Sequence, residues 1–178
     1  FDINSSLAND FKIDQSIAHD GCCLTVIALN KDQNQKITGY RVTAINETLQ
    51  KTTLQYWRPG SMINIERCTK VGSRLDGHIV QWHIDCTAVI SDIVDQNGSW
   101  EIKLKHELNR LYQTVNKGSI TINGISLTVV ESGSDYFSVA IIPYTWNNTS
   151  FHLLKIADQV NLEFDIIGKY VSKILEAK

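Results

Sequence analysis

One eleven-residue pattern occurs twice in this chain of 178 residues. Residues 16–26 read SIAHDGCCLTV and residues 119–129 read SITINGISLTV, so both have the form Ser-Ile-x-x-x-Gly-x-x-Leu-Thr-Val, 103 residues apart. A second pair, residues 62–66 (MINIE) and 159–163 (QVNLE), follows at a separation of 97 residues. A repeat of this length is too long for a solenoid and indicates two similar tandem domains.

The spacing of apolar and turn residues predicts about six short strands and little helix in each unit. Turn signals such as Asp20-Gly21 and Asn97-Gly98 separate the strand-forming runs. A closed barrel is favoured over a sandwich because it leaves no exposed strand edge. The prediction is an all-β fold of two similar six-stranded antiparallel closed barrels, at residues 1–78 and 79–168, followed by an amphipathic helix at 169–178.

The first unit lacks a counterpart to one strand of the second. In the second unit a long alternating run, residues 83–94, precedes the turn at Asn97-Gly98 and a strand that starts at Trp100. If Phe1 corresponds to Trp100, nothing in the first unit corresponds to that run. We therefore expect about 17–25 further residues before Phe1 in the natural protein, and without them the first barrel would not close.

Composition argues against several classes of partner. A net charge of −2 and a pI of about 6.2 argue against nucleic acid or an anionic membrane as the main partner. No apolar run approaches the roughly 18 residues needed to span a bilayer. The four cysteines lack the paired spacing of a zinc site, so we expect no metal and reduced thiols in a cytoplasmic protein.

Two histidines, His78 and His83, flank the junction between the units. An odd separation places two side chains on opposite faces of a strand, which is poor spacing for metal ligands. They are either a structural and a surface histidine, or one of them performs acid–base chemistry near neutral pH.

Polar residues recur at equivalent positions of the two units. Ser126 and Thr128, like Cys23 and Thr25, are two apart and so share one face of a strand. Facing inward they would line a small cavity, whereas facing outward they would be solvated strand residues, and their recurrence in both units strengthens the case for the cavity without deciding it. Threonines 48 and 52 match threonines 145 and 149, which are either loop hydrogen-bonding groups or part of a cradle for a polar ligand.

The repeated segments resemble the riboflavin synthases of the alpha-subunit type, a lumazine-binding tandem-barrel family, over essentially the whole chain. The segments that carry the resemblance are SIAHDGCCLTV, NETLQKTTL, INIERC, SRLDGHIVQWHID, KGSITINGISLTV, IPYT and VNLEFDIIGKY. Taken together and in this order they are specific, although no single one would be.

The resemblance implies an enzyme that converts two molecules of 6,7-dimethyl-8-ribityllumazine into riboflavin and 5-amino-6-(ribitylamino)uracil by transfer of a four-carbon unit. It also implies a homotrimer held largely by the C-terminal helices, with active sites between the first barrel of one subunit and the second barrel of a neighbour. No metal or organic cofactor is expected. The alternative is a non-catalytic lumazine- or flavin-binding antenna protein of the same ancestry.

Site residues follow from the resemblance position by position. The expected catalytic residues are His83, Ser126 and Cys23. The expected substrate-binding residues are Cys23, Leu24, Thr25, Thr43, Ala44, Ile45, Asn46, Glu47, Thr48, Trp82, His83, Ile84, Lys117, Ser126, Leu127, Thr128, Ile142, Pro143, Tyr144, Thr145, Trp146 and Asn147. Trp82 is a departure, because the family usually has glycine there, and glycine allows close approach of a ligand to the backbone.

Overall fold

The computed structural model describes residues 1–176, and its first unit is an open sheet of five antiparallel strands. The strands are β1 (Asp2–Asn4), β2 (Ser16–His19), β3 (Cys22–Lys31), β4 (Ile37–Val42) and β5 (Ile65–Arg67). They are ordered β1-β4-β3-β2-β5, so β1 and β5 form the two edges of the sheet.

The second unit is a closed barrel of six antiparallel strands, as predicted. Its strands are β6 (Cys86–Asp95), β7 (Trp100–His106), β8 (Ser119–Ile122), β9 (Ile125–Ser132), β10 (Tyr136–Ile141) and β11 (Gln159–Phe164). They follow one another around the barrel in the order β10-β7-β6-β11-β8-β9. The edge strands β1 and β5 of the first unit correspond to β7 and β11 of the barrel. In the barrel, β6 lies between β7 and β11 and pairs with both. The first unit is therefore open where, among the described residues, β6 has no counterpart.

Both repeated hairpins form as the sequence predicts. In the first, β2 pairs with β3 and Asp20-Gly21 makes the turn, and in the second β8 pairs with β9 around Asn123-Gly124. The first residue of each turn adopts a left-handed backbone, with φ of 45° at Asp20 and 47° at Asn123. This conformation suits Asn, Asp and Gly best, which accounts for the residues found at both turns.

Several predicted bounds need correction. The long strand expected from His83 begins at Cys86, because the N–H groups of Gln81 and His83 bond to the side chain of Glu163 instead of the backbone of a neighbouring strand. The polar segments after β4 and β10 form short helices, α1 (Asn46–Lys51) and α2 (Pro143–Asn148). The C-terminal helix α3 (Ile166–Glu176) begins three residues earlier than expected, and residues 177–178 lie outside the described part of the chain.

The two units pack against each other with near two-fold symmetry. Asn161 of the second unit accepts the N–H of Thr53 (2.7 Å) and donates to the carbonyl of Asp20 (2.9 Å). Asn64 of the first unit occupies the equivalent position. It accepts the N–H of Ser150 (2.8 Å) and donates to the carbonyl of Asn123, the residue equivalent to Asp20 (3.1 Å).

Two glycines lie where the hairpins meet. A Cβ placed on Gly21 would come within 2.7 Å of the backbone nitrogen of Gly124, and a Cβ on Gly124 within 2.8 Å of the nitrogen of Gly21. Since side chains at either position would collide with backbone, both copies of the repeated glycine are needed for this close approach. Residues 68–85 connect the units without regular secondary structure.

None of the helices in residues 1–176 is both long and apolar enough to cross a membrane.

Candidate functional site

Two surface cavities are built from corresponding positions of the two units. The first, of about 240 Å³, lies against the first unit and the second, of about 690 Å³, against the second. Six positions of one correspond to six of the other at the repeat separations of 103 and 97 residues. The pairs are Cys22 and Ile125, Cys23 and Ser126, Glu47 and Tyr144, Thr48 and Thr145, Lys51 and Asn148, and Thr52 and Thr149.

The polar residues of each hairpin face outward, away from the barrel interior. On β3 the buried positions are Cys22, Leu24 and Val26, so Cys23 and Thr25 lie on the opposite face. Cys23 is half-buried in the first cavity, and its counterpart on β9 lines the second. The sequence left open whether these side chains face inward or outward. The structure places Cys23 and Ser126 outside the barrels, in surface cavities.

The helix of each unit forms the facing wall. The hydroxyl of Thr52 donates to the carbonyl of Thr48 at 2.7 Å, and the hydroxyl of Thr149 donates to that of Thr145 at the same distance. Thr52 and Thr149 also accept the N–H two residues later, which ends each α-helix in a short 3₁₀ turn. These recurring threonines therefore fix the shape of the cavity wall.

A histidine hydrogen-bonded to the repeated serine distinguishes the second cavity. Nδ1 of His78 lies 2.7 Å from the Ser126 hydroxyl, and Nε2 lies 3.2 Å from the Thr121 hydroxyl. Gly77 makes the pairing possible, because a Cβ there would come within 2.7 Å of the Ser126 oxygen. Burial lowers the pKa of His78 below its ordinary value, against an opposing effect of Asp165. A neutral imidazole can accept the Ser126 proton while it donates to Thr121.

The first cavity carries different groups at the matching positions. Cys23 takes the place of the serine, and Glu47 and Lys51 form an exposed ion pair at 2.8 Å. His83 lies at the exposed rim of this cavity, together with Ile84. The two cavities therefore share a frame but differ in the polar groups that they present to a ligand.

Residues 81–84, here called the arm, run between the two cavities. Trp82 lines both of them and has a left-handed backbone with φ of 62°. Glycine adopts this conformation without strain, so the glycine that the resemblance implies at this position would fit the backbone more easily than Trp82 does. The Trp82 carbonyl accepts the N–H of Cys23 at 3.0 Å, so the arm is attached to β3.

The structure brings only some of the predicted site residues into these cavities. Those that line them are Cys23, Glu47, Thr48, Trp82, His83, Ile84, Ser126, Tyr144 and Thr145. The residues that line neither cavity in a single chain are Leu24, Thr25, Thr43, Ala44, Ile45, Asn46, Lys117, Leu127, Thr128, Ile142, Pro143, Trp146 and Asn147. Leu24 lies in the core, and Trp146 stacks on Trp100 at 4.4 Å. The binding and catalytic roles of both groups stay predictions.

Sequence reasoning did not assign His78 to the site, although it singled this residue out. The partner of His78 is 48 residues away, across an irregular connection, and no periodicity signals such a pairing. Sequence reasoning also did not assign Lys51 and Asn148, which line the cavities. The repeat could have identified both, because each follows a recurring threonine, Thr48 or Thr145, by about one helical turn. Among residues 1–176, no three His, Cys, Asp or Glu side chains are grouped so that they could hold a metal ion.

Comparison with known proteins agrees with the repeat. A family model described as "Lumazine binding domain" matches residues 1–68 and 81–165. The riboflavin synthase of Actinobacillus pleuropneumoniae is 37% identical over 174 residues, which cover 98% of this chain and 78% of that protein. The riboflavin synthase of Bacillus subtilis (strain 168) is 35% identical over 171 residues, which cover 96% of this chain and 77% of that protein.

A solved structure shares the fold. It is described as LumP complexed with 6,7-dimethyl-8-(1'-D-ribityl) lumazine, and it aligns with a TM-score of 0.77 over 92% of this chain and 86% of that one. At 19% identity this likeness shows the fold alone. The family-model match and the identities above go further: the two relatives named are riboflavin synthases, and the chain belongs to the lumazine-binding domain family.

Proposed function

We propose that this chain is a riboflavin synthase, which converts two molecules of 6,7-dimethyl-8-ribityllumazine into riboflavin and 5-amino-6-(ribitylamino)uracil. The observation that carries the proposal is the pair of cavities with corresponding walls. A reaction between two identical molecules needs two similar binding sites that present different reactive groups, and the cavities meet this requirement. The curated relatives named riboflavin synthase support the same reaction.

The chemistry needs no external reagent. The two products together contain every atom of the two substrates, because a four-carbon unit leaves one lumazine and joins the other. Holding both molecules in reacting geometry supplies roughly 7–11 kcal/mol of the barrier by replacing an encounter in solution. Proton transfer by positioned side chains raises the rate by a further factor of about 10²–10⁴.

We assign roles to three side chains. His83, at the rim of the first cavity, accepts a proton from the 7-methyl group of one lumazine, which is acidic because its carbanion delocalises into the ring. Ser126, paired with His78, donates a hydrogen bond to the other lumazine or adds to it as a transient nucleophile. Cys23 is the alternative nucleophile, from the first cavity.

The proposed active unit is a homotrimer in the cytoplasm, with each site between residues 1–78 of one subunit and residues 79–168 of the next. The first cavity, at about 240 Å³, is smaller than typical ligand sites of about 300–1,000 Å³, which supports completion by a neighbour. Helix α3 exposes apolar side chains that suit it to subunit contact. They are Ile167, Tyr170, Val171, Ile174 and Leu175.

Truncation before Ile166 tests this assembly. Loss of the apolar face of α3 is expected to shift a trimer toward monomers in sedimentation velocity and to lower riboflavin formation. A sedimentation profile that the truncation leaves unchanged would remove α3 from the assembly interface.

Incubation of the purified protein with 6,7-dimethyl-8-ribityllumazine tests the function. Riboflavin is expected to accumulate with an equimolar amount of the pyrimidine product. Tight binding of one ligand per chain without any riboflavin would instead identify a non-catalytic binding protein. The absence of binding would indicate a structural double barrel.

A further inference from the structure

Glu163 lies on β11 with its side chain almost wholly buried, and it lines neither cavity. Its Oε1 accepts the N–H of Gln81 at 2.6 Å and its Oε2 accepts the N–H of His83 at 3.0 Å. Hydrogen bonds from backbone N–H groups to an ionised carboxylate are among the stronger ones in proteins. A single side chain of the second unit therefore holds the arm by two backbone donors.

The arm is bonded on its other side as well. The Trp82 carbonyl accepts the N–H of Cys23, which lies on β3 of the first unit. The arm thus connects the two units at the point where it forms the wall of the first cavity. Glu163 and β3 together fix where Trp82 and His83 stand.

Such fixing is needed because the backbone of Trp82 is left-handed. A residue with a Cβ rarely adopts this conformation unless its surroundings impose it. The counterpart of Glu163 in the first unit is Glu66, whose side chain makes no hydrogen bond or ion pair with any other residue in 1–176. Among the described residues, only the second unit contains this clamp.

We propose that Glu163 is a positioning residue whose carboxylate clamps the arm, so that Trp82 and His83 stand at the first cavity. It touches no reacting atom and acts through the backbone of the arm. The consequence for catalysis rests on the proposed function, whereas the clamp itself does not.

Amide hydrogen exchange tests the clamp directly, in the protein without ligand. In the wild type the amides of Gln81 and His83 are expected to be protected, although both side chains are exposed. In Glu163→Gln the side-chain NH₂ replaces one acceptor, and these amides are expected to exchange about 10–100-fold faster. Glu131→Gln, an exposed carboxylate changed in the same way, is the matched control and is expected to leave them unchanged.

Three results would overturn the clamp. The first is an absence of protection at Gln81 and His83 in the wild type, which needs no variant to observe. The second is unchanged exchange in Glu163→Gln, and the third is an equal loss of protection along the whole of β11, which would show a merely structural role.

Kinetics then test the consequence. Glu163→Gln is expected to lower kcat for riboflavin formation about 10-fold or more through misplacement of His83, while its Tm stays close to that of Glu131→Gln. A kcat equal to that of the wild type, together with faster exchange of the arm, would overturn the positioning role. A wild-type protein that forms no riboflavin would refute the proposed function, and the exchange result would still decide whether the clamp exists.

Discussion

Asp20 is a buried carboxyl group at the contact between the two units, and the repeat supplies its neutral counterpart. Asn123 occupies the same hairpin position, and the two residues are 6% and 5% exposed. Oδ1 of Asp20 accepts the N–H of Asn64 at 2.8 Å, and Oδ1 of Asn123 accepts the N–H of Asn161 at 2.8 Å. Asp20→Asn therefore gives the first unit the residue that the second already uses.

The expected effect depends on pH. Burial raises the pKa of Asp20 from 3.8 to about 7, although hydrogen bonds from Asn64 and Trp57 oppose the rise. The folded protein keeps a proton that the unfolded chain has released, so this contribution to stability is complete below pH 4 and is lost as the pH rises to about 7. At about 1.36 kcal/mol per pH unit, the loss amounts to roughly 4 kcal/mol.

Denaturant unfolding between pH 4 and pH 8 measures this contribution. The free energy of unfolding of Asp20→Asn, relative to the wild type, is expected to rise with pH across this window and to level off above pH 7. The reciprocal change, Asn123→Asp, is expected to show the opposite trend. Burial lowers the pKa of the neighbouring His19 to about 4, so the contribution of His19 to stability rises with pH. His19 is present in the wild type and in both variants, so its contribution cancels in the differences. A difference that stays constant with pH would refute the reasoning.

Three further experiments test the site and its frame. Ser126→Ala is expected to lower kcat about 10²–10⁴-fold, because it removes the hydroxyl beside His78, and an unchanged steady-state rate would exclude Ser126 from the mechanism. Asn161→Ala is expected to cost about 2–5 kcal/mol in urea unfolding, more than Asn64→Ala, because Asn161 is fully buried; equal losses would contradict this. Trp82→Gly is expected to raise stability by about 1 kcal/mol in thermal unfolding, since glycine adopts the left-handed backbone freely. It is also expected to alter the affinity for lumazine, because Trp82 lines both cavities. A lower Tm with unchanged affinity would contradict both the backbone strain and the contact with the ligand.

The repeat allows much of the frame to be predicted from the sequence. Because Thr48 recurs as Thr145 and Cys23 as Ser126, the sequence by itself indicates equivalent cavity walls, and both pairs do line the two cavities. The open first sheet is also predictable, since a missing counterpart to β6 leaves two unpaired edges.

The rest depends on contacts that no local pattern encodes. Side-chain alternation places Cys23 and Thr25 on one face but does not say whether that face is inside or outside the barrel. The pairing of His78 with Ser126 and the clamp on the arm by Glu163 join residues 48 to 82 positions apart through an irregular connection. The beginning of α3 at Ile166 was missed because Ile166 and Ile167 also suit a strand, and β11 ends only two residues earlier.

Product formation tests the central claim most directly. Purified protein, supplied with 6,7-dimethyl-8-ribityllumazine and no other reagent, is expected to form one riboflavin for every two molecules of substrate consumed, as measured by chromatography with absorbance detection. Substrate that stays unconverted while it binds at one site per chain would contradict the account, because two matched cavities would then serve no reaction between two molecules.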